Sequence, residues 1–352
     1  MNSAPAGKLA GVRVVDLSLF LPGPMLTRMM ADHGAEVIKV EPPGGDPTRA
    51  MGPFEQGTSF WFHALNHGKS CLELDLKTQA GREALWARIE SADVLVEGFR
   101  PGVMERLGFG WEAVAARNPR LVYCSISAFG QEGPLADHPA HDLGAWALSG
   151  YLSVNDAPDG TPVVPGVAAS DMAAGLTGLS AILMALLARE RSGRGDRIDL
   201  SMFDALFPWG VHTMGEAVVE GRPVRSALQR SLGGHAFYQV YGTADGRHIV
   251  LCGREAKFAR NLLEALGRPD LVPMAEAPAG PAHDPLKQFL AEVFATRTRD
   301  EWVRWFHGRD IAFAPVLDMT EAATSPLVTG RGLIHEREGR HLLASPIRFR
   351  GG

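Results

Sequence analysis

Short apolar runs alternate with helical stretches through the first half of this chain, and that alternation limits the fold more than any other feature. Residues 12–17 read as a buried strand, 24–33 as a helix closed by Gly34, and 36–40 as a second strand. Residues 71–76 make a third strand, 80–91 have helical spacing, 93–97 form a fourth strand, 111–117 a helix and 121–127 a fifth strand. Strands this short and apolar, separated by helices, predict a parallel sheet covered on both faces. Ligands on such sheets bind beyond the carboxyl ends of the strands. At those ends the chain carries loops rich in Gly, Pro and polar groups, at 18–23, 41–45, 97–100 and 127–130.

Residues 171–191 (DMAAGLTGLSAILMALLARER) predict one long helix whose Ala and Gly positions let other helices approach closely, with Asp171 at its start in the position of an N-cap. After Arg225 the pattern changes. Residues 236–241 and 248–252 read as antiparallel strands joined by a turn at 243–246. Helical stretches follow at 256–266, 285–296 and 299–307, with a Pro/Ala/Gly loop at 273–283. The expected fold is α/β: a large domain on a parallel sheet (1–225), a smaller α+β domain (226–314), and a terminal segment (315–352) that returns to the large domain. With 352 residues, 45% of them hydrophobic, the chain has material for both cores.

Several function classes are disfavoured. A net charge of −5 argues against a nucleic-acid or anionic-membrane partner. No window approaches 18 uninterrupted apolar residues, so no membrane span is expected. The start MNSAPAGKLAG lacks a charged end followed by an apolar stretch, which leads to the expectation of a cytoplasmic protein. Cys71, Cys124 and Cys252 lie far apart and no Cys/His cluster has metal-ligand spacing, so a reducing compartment and no metal are expected. The first strand is not followed by GxGxxG or a Walker-type loop, and no GxSxG occurs. Nicotinamide, nucleoside-triphosphate and Ser-His-Asp chemistry therefore have no anchor.

Among 40 acidic residues and 12 histidines, most must be solvated surface groups. Four sit in apolar or Gly-rich surroundings: His141, Asp142, Asp171 and Glu255. Each has an ordinary explanation. The His141-Asp142 pair serves equally as a helix cap or a satisfied polar pair, Asp171 as an N-cap and Glu255 as a surface carboxylate. Met25, Met29, Met30, Met202 and Met214 suit either a core or a loosely shaped apolar pocket.

The neighbourhood of these residues adds a second line of argument. GVRVVDLSLFLPGP at 11–24, ADHGAEVIKVEPPGGDPTR at 31–49 and ELDLKTQAGR at 73–82 resemble the family III CoA-transferases, a group that also contains α-methylacyl-CoA racemase. ADVLVEGFRPGVMERLGFG at 92–110 and NPRLVYCSISAFGQEGP at 118–134 continue the resemblance over nearly the whole chain. It implies a Rossmann-like large domain, a small domain, and two chains interlocked as a homodimer. It also implies an acyl-CoA substrate, with no cofactor beyond the CoA moiety itself. Lys39, Lys69, Leu72, Leu74, Lys77 and Arg100 fall on positions where the resemblance implies CoA contacts, cations to the phosphates and apolar groups to the adenine.

The resemblance divides at the chemistry. Transferases of this family use an aspartate nucleophile, and Asp142 occupies that position. Racemases carry a His directly before this Asp and a second Asp thirty residues later, as His141 and Asp171 stand here. AHDLGAWALSG at 140–150 and GGHAFYQVYGTADGRHIVLCGREAKF at 233–258 resemble the racemase form, with Glu255 at the carboxylate that supports the histidine. The first expectation is therefore a 2-methylacyl-CoA racemase, in which His141 and Asp171 exchange the α-proton through an enolate. The alternative is a CoA-transferase working through Asp142. Val167, where racemases carry Asn, and the transferase-like PGVAASDMAAG at 165–175 keep that alternative open. A non-catalytic acyl-CoA binder is a third reading, disfavoured because binding alone needs no such set of titratable groups.

Overall fold

A computed structural model describes residues 7–350. The chain divides into two units. The first holds the residues up to Gly150, Val164–Trp209 and those from Pro326 onward; the second holds Tyr151–Val163 and Gly210–Ser325. The segment after residue 314 does not leave the second unit at once. Phe313–Pro315 pairs antiparallel with His248–Cys252, and the Val316 N–H donates to the His248 carbonyl at 3.0 Å.

The first unit is built on six parallel strands: β1 (Arg13–Asp16), β2 (Glu36–Glu41), β3 (Ser70–Glu73), β4 (Val94–Glu97), β5 (Val122–Ser127) and β6 (Arg197–Ser201). Their order is β3-β2-β1-β4-β5-β6, which is the dinucleotide-binding order with the chain reversing direction across the sheet between β1 and β4. The crossovers carry α1 (Pro22–Asp32), α2 (Phe60–Asn66), α3 (Gln79–Ile89), α4 (Val103–Leu107), α5 (Trp111–Arg117), α6 (Asp142–Leu148) and α7 (Ala169–Ser192). The mixed α/β class and Rossmann-like sheet expected from the alternating pattern are present. The sixth strand is an addition to it.

Period-two alternation sends the side chains of the inner strands to both faces of the sheet, and each face is covered. Val14, Val94, Val96, Val122 and Cys124 face α1 and α7, while Val15, Leu95 and Tyr123 face the layer of α3 and α5. Close packing of α1 on α7 requires glycine. A Cβ at Gly178 would lie 2.7 Å from Leu26 and 2.8 Å from Leu200, and one at Gly175 would lie 2.6 Å from Met25. The small-residue composition of α7 is thus the means by which α1 and the sheet reach it. Met25, Met29, Met30 and Met202 belong to this core. Leu176, Leu183, Met184 and Leu187 of the same helix face outward and are exposed.

The second unit has a three-stranded antiparallel sheet, Phe313–Pro315, His248–Cys252 and Tyr238–Gly242 in that order. Ala256–Ala265, Asp284–Phe294 and Arg299–Phe306 supply its helices. Thr298 and Glu301 form a reciprocal capping box at the last of these, which satisfies two otherwise orphaned backbone donors. Phe237, Ile249, Leu262, Leu290, Phe294 and Trp302 make its core.

Candidate active site

A cavity of about 410 Å³ opens in the first unit beyond the carboxyl ends of β1, β4, β5 and β6. Ser18, Phe20, the 98–101 loop, Ala128 and Met202 wall it, and His138, His141 and Asp171 bring titratable groups to it. Phe20 takes a positive φ of 63°, a conformation that costs a bulky residue energy and is held by its surroundings. Its ring meets the His141 imidazole edge-on, with centroids 6.1 Å apart.

Asp171 was expected to cap the long helix. Instead α7 begins two residues earlier, Ala168 occupies the cap position, and no side chain of its own caps the helix. The free backbone donors of the first turn go to Asp142. Its Oδ1 accepts from the Ser170 N–H at 2.7 Å, from the Ser170 hydroxyl at 2.6 Å and from the Asp171 N–H at 3.3 Å. No hydrogen bond from a described residue reaches Oδ2. The half-buried Asp142 carboxylate is therefore a remote cap on α7, seated at the positive end of a 24-residue helix. Asp142 is not among the residues that line the cavity, whereas His141 and Asp171 are. Burial first, and the neighbouring Asp142 second, push the Asp171 carboxyl up to about 7.

Lys39 and Lys69 are corrected by the structure as phosphate ligands. Both side chains are fully buried and their ammonium groups are committed within the unit. Lys39 Nζ pairs with Asp46 at 2.9 Å and donates to the Ser18 carbonyl at 2.8 Å. Lys69 Nζ pairs with Asp16 at 3.0 Å and donates to Asn66 Oδ1 and the Pro24 carbonyl. Asp16 also accepts from the Ser18 N–H, the Ser18 hydroxyl and the Thr27 hydroxyl. Burial acts to raise the Asp16 carboxyl, but Lys69, Lys39 and the two hydroxyls outweigh it and hold it below the usual range. Burial pushes Lys69 down to about 8. These lysines support the floor of the cavity through the Ser18 carbonyl and the start of α1, and neither lines either cavity.

Arg100 does line the cavity, and no ion pair or side-chain hydrogen bond from another described residue engages it. Leu74 and Lys77 line a second, more apolar cavity of about 530 Å³ with Leu17, Pro42 and Phe99. Leu72 lies in β3 opposite Val40 and lines neither. Glu255 belongs to the second unit, directly before the helix Ala256–Ala265, with its side chain exposed and making no cap bond. Among the described residues no three His, Cys, Asp or Glu side chains gather as a metal site would. Sequence reasoning missed Ser170 and Glu97, the latter a buried carboxyl behind the 98–101 loop. Ser170 had a signal, since a hydroxyl in the first turn of a predicted helix is a donor available to a neighbour.

A Rossmann-ordered sheet with a titratable cavity at its strand ends defines an α/β protein built to hold a ligand there. The chain belongs to CoA-transferase family III, whose family model matches residues 9–351. It is 36% identical to an acetyl-CoA:oxalate CoA-transferase of Acetobacter aceti, over 99% of this chain and 90% of that one. It is 35% identical to a succinate–glutarate CoA-transferase of Agrobacterium fabrum, over 92% of this chain and 84% of that one. Among solved structures it resembles a CAIB/BAIF family protein from Brucella suis, at 31% identity and a TM-score of 0.86, covering 98% of this chain and 93% of that one. A hypothetical protein from Mycobacterium tuberculosis matches at 29% identity with a TM-score of 0.85, over 98% of this chain and 94% of that one. The family expectation stands. Within it, the relatives carry transferase names, which favours the alternative over the racemase first expected.

Proposed function

We propose that this chain moves coenzyme A from an acyl-CoA to a free carboxylic acid, with Asp142 as the nucleophile. The observation that carries the reading is the seating of Asp142. One oxygen is held by three donors and the other is left without a partner among the described residues. Oδ2 attacks the thioester carbonyl, the C–S bond breaks, and CoA leaves as the thiolate, giving a mixed anhydride. The thiolate returns to the aspartyl carbonyl carbon, the donor carboxylate departs, and an aspartyl-CoA thioester remains. Attack by the acceptor carboxylate then reverses the sequence and regenerates Asp142. Each attack on the aspartyl carbonyl drives negative charge onto Oδ1, where the two N–H groups and the hydroxyl already point. A single such donor is worth about 2.7–4 kcal/mol. The names of the relatives support the same reaction class.

CoA is assigned to the two cavities, with Arg100 and Lys77 as the cations available to phosphate and Leu74 and Phe99 as apolar contacts. The reading brings with it a homodimer, an expectation supported by the exposed Leu176, Leu183, Met184 and Leu187 of α7.

A second reading, racemisation of a 2-methylacyl-CoA, is favoured by one specific observation. His141 and Asp171 line the same cavity, and an Asp171 carboxyl raised to about 7 is suited both to take and to give a proton. Two measurements separate the readings. Incubation with an acyl-CoA, followed by hydroxylamine, captures an aspartyl thioester in the wild type and none in Asp142→Ala. Incubation with a 2-methylacyl-CoA in heavy water gives no α-deuterium. Deuterium uptake lost in His141→Ala, with no captured thioester, reverses the assignment.

A further inference from the structure

Glu97 ends β4 and is 2% exposed, yet neither reading of the chemistry uses it. One of its oxygens accepts from the Phe99 N–H at 2.8 Å, which ties the carboxyl to the loop that follows the strand. That loop, 98–101, walls the first cavity along its whole length, and Phe99 also walls the second. The carboxyl is therefore the internal support of a loop that both cavities share.

Its surroundings give a charge two donors, the Phe99 N–H and the Ser125 hydroxyl, and no contacting cation. Ser125 stands opposite in the strand register and its hydroxyl bonds the carboxyl. Tyr123 of the same strand gives its hydroxyl to the Phe109 carbonyl at 3.1 Å. From α4 comes Glu105, of like charge, and from β6 comes Arg197, whose attraction ranks last among the influences on Glu97. The neighbouring β1 turns Leu17 to this side of the sheet and Asp16 to the other. Burial raises the Glu97 carboxyl to about 7. A carboxylate formed here keeps these two donors, but burial outweighs them, so ionisation favours an opening of the loop that exposes the group to solvent.

We propose that Glu97 is a positioning residue for coenzyme A: through the Phe99 amide its neutral carboxyl holds the 98–101 loop in the shape that walls both cavities, and ionisation loosens that hold. The inference rests on the assignment of CoA to these cavities, and the experiment keeps the two apart. Coenzyme A itself is titrated calorimetrically into the full chain at pH 6 and pH 8.5, for the wild type, Glu97→Ala and Glu97→Gln. Glu97→Ala binds at least tenfold more weakly than wild type at pH 6. Glu97→Gln, which keeps the acceptor and cannot ionise, stays within about threefold of wild type at pH 6 and lacks the additional weakening the wild type shows at pH 8.5. Comparing these two also removes the titration of CoA's own phosphate. Glu97→Ala within twofold of wild type, or identical pH dependence in wild type and Glu97→Gln, overturns the proposal. If Glu97→Ala does not fold, the pH comparison of Glu97→Gln with wild type decides. A wild type that binds no CoA at either pH overturns the assignment of the cavities, and the inference falls with it.

Discussion

The sharpest test of the Asp142 reading is Ser170→Ala. Ser170 is fully buried, so alanine enters without collision and removes one oxygen. What is lost is the hydroxyl donor to Asp142 Oδ1 at 2.6 Å; the backbone donors at 2.7 and 3.3 Å remain. A hydrogen bond to a charged group contributes about 1.5–3 kcal/mol. A donor aimed at an oxyanion is worth about 2.7–4 kcal/mol. Part of that strength is already present in the resting carboxylate, so only the difference appears in the rate. That difference, about 1 kcal/mol at the transition state, lowers kcat by roughly five- to eightfold. The assay is steady-state CoA transfer from an acyl-CoA to a dicarboxylate, with oxalate and succinate as first acceptors because relatives are named for them. The fall belongs in kcat with KM little changed, because the hydroxyl touches the nucleophile and not the bound nucleotide. A Ser170→Ala enzyme within twofold of wild-type kcat, beside an inactive Asp142→Ala, refutes the idea that the α7 donors stabilise charge on Oδ1.

Two further outcomes follow from the buried charges. The Asp171 carboxyl is raised from 3.8 to about 7, so the unfolded chain releases this proton first and stability falls as pH rises between those values, then levels off. Asp171→Asn removes that slope, worth at most roughly 4 kcal/mol, and urea midpoints at pH 5 and 8 read it; equal slopes in variant and wild type refute the shift. Lys69→Met strands the fully buried Asp16 without its ion pair and costs about 3–5 kcal/mol at pH 7 by urea denaturation. A cost under about 1 kcal/mol joined to weakened CoA binding returns Lys69 to the phosphate-binding role expected of it.

The sheet was legible because its evidence is local. Strands buried on both faces need near-continuous apolar runs, and the inner strands β1, β2, β4 and β5 carry them. The sixth, Arg197–Ser201, alternates Arg197 and Asp199 with apolar residues and lies at the edge of the sheet, so its run is broken by polar groups that an edge permits. The start of α7 was misjudged by two residues because an Asp near a helix start looks like its cap, and only the fold reveals that the cap comes from Asp142.

From the sequence alone came the parallel α/β architecture, the family, and the candidates His141, Asp142 and Asp171. Periodicities of 2 and 3.6 residues and contiguous motifs are properties of neighbouring residues, and they survive without coordinates. Tertiary structure decided what each charge does. Lys39 turns inward because the chain folds back to bring Asp46 beneath it, and Lys69 because Asp16 lies across the sheet. Asp142 becomes a seated carboxylate because Ser170, 28 residues on, opens a helix against it. The energy of a buried charge depends on what lies within a few ångströms in any direction, and distance along the chain carries almost none of that information.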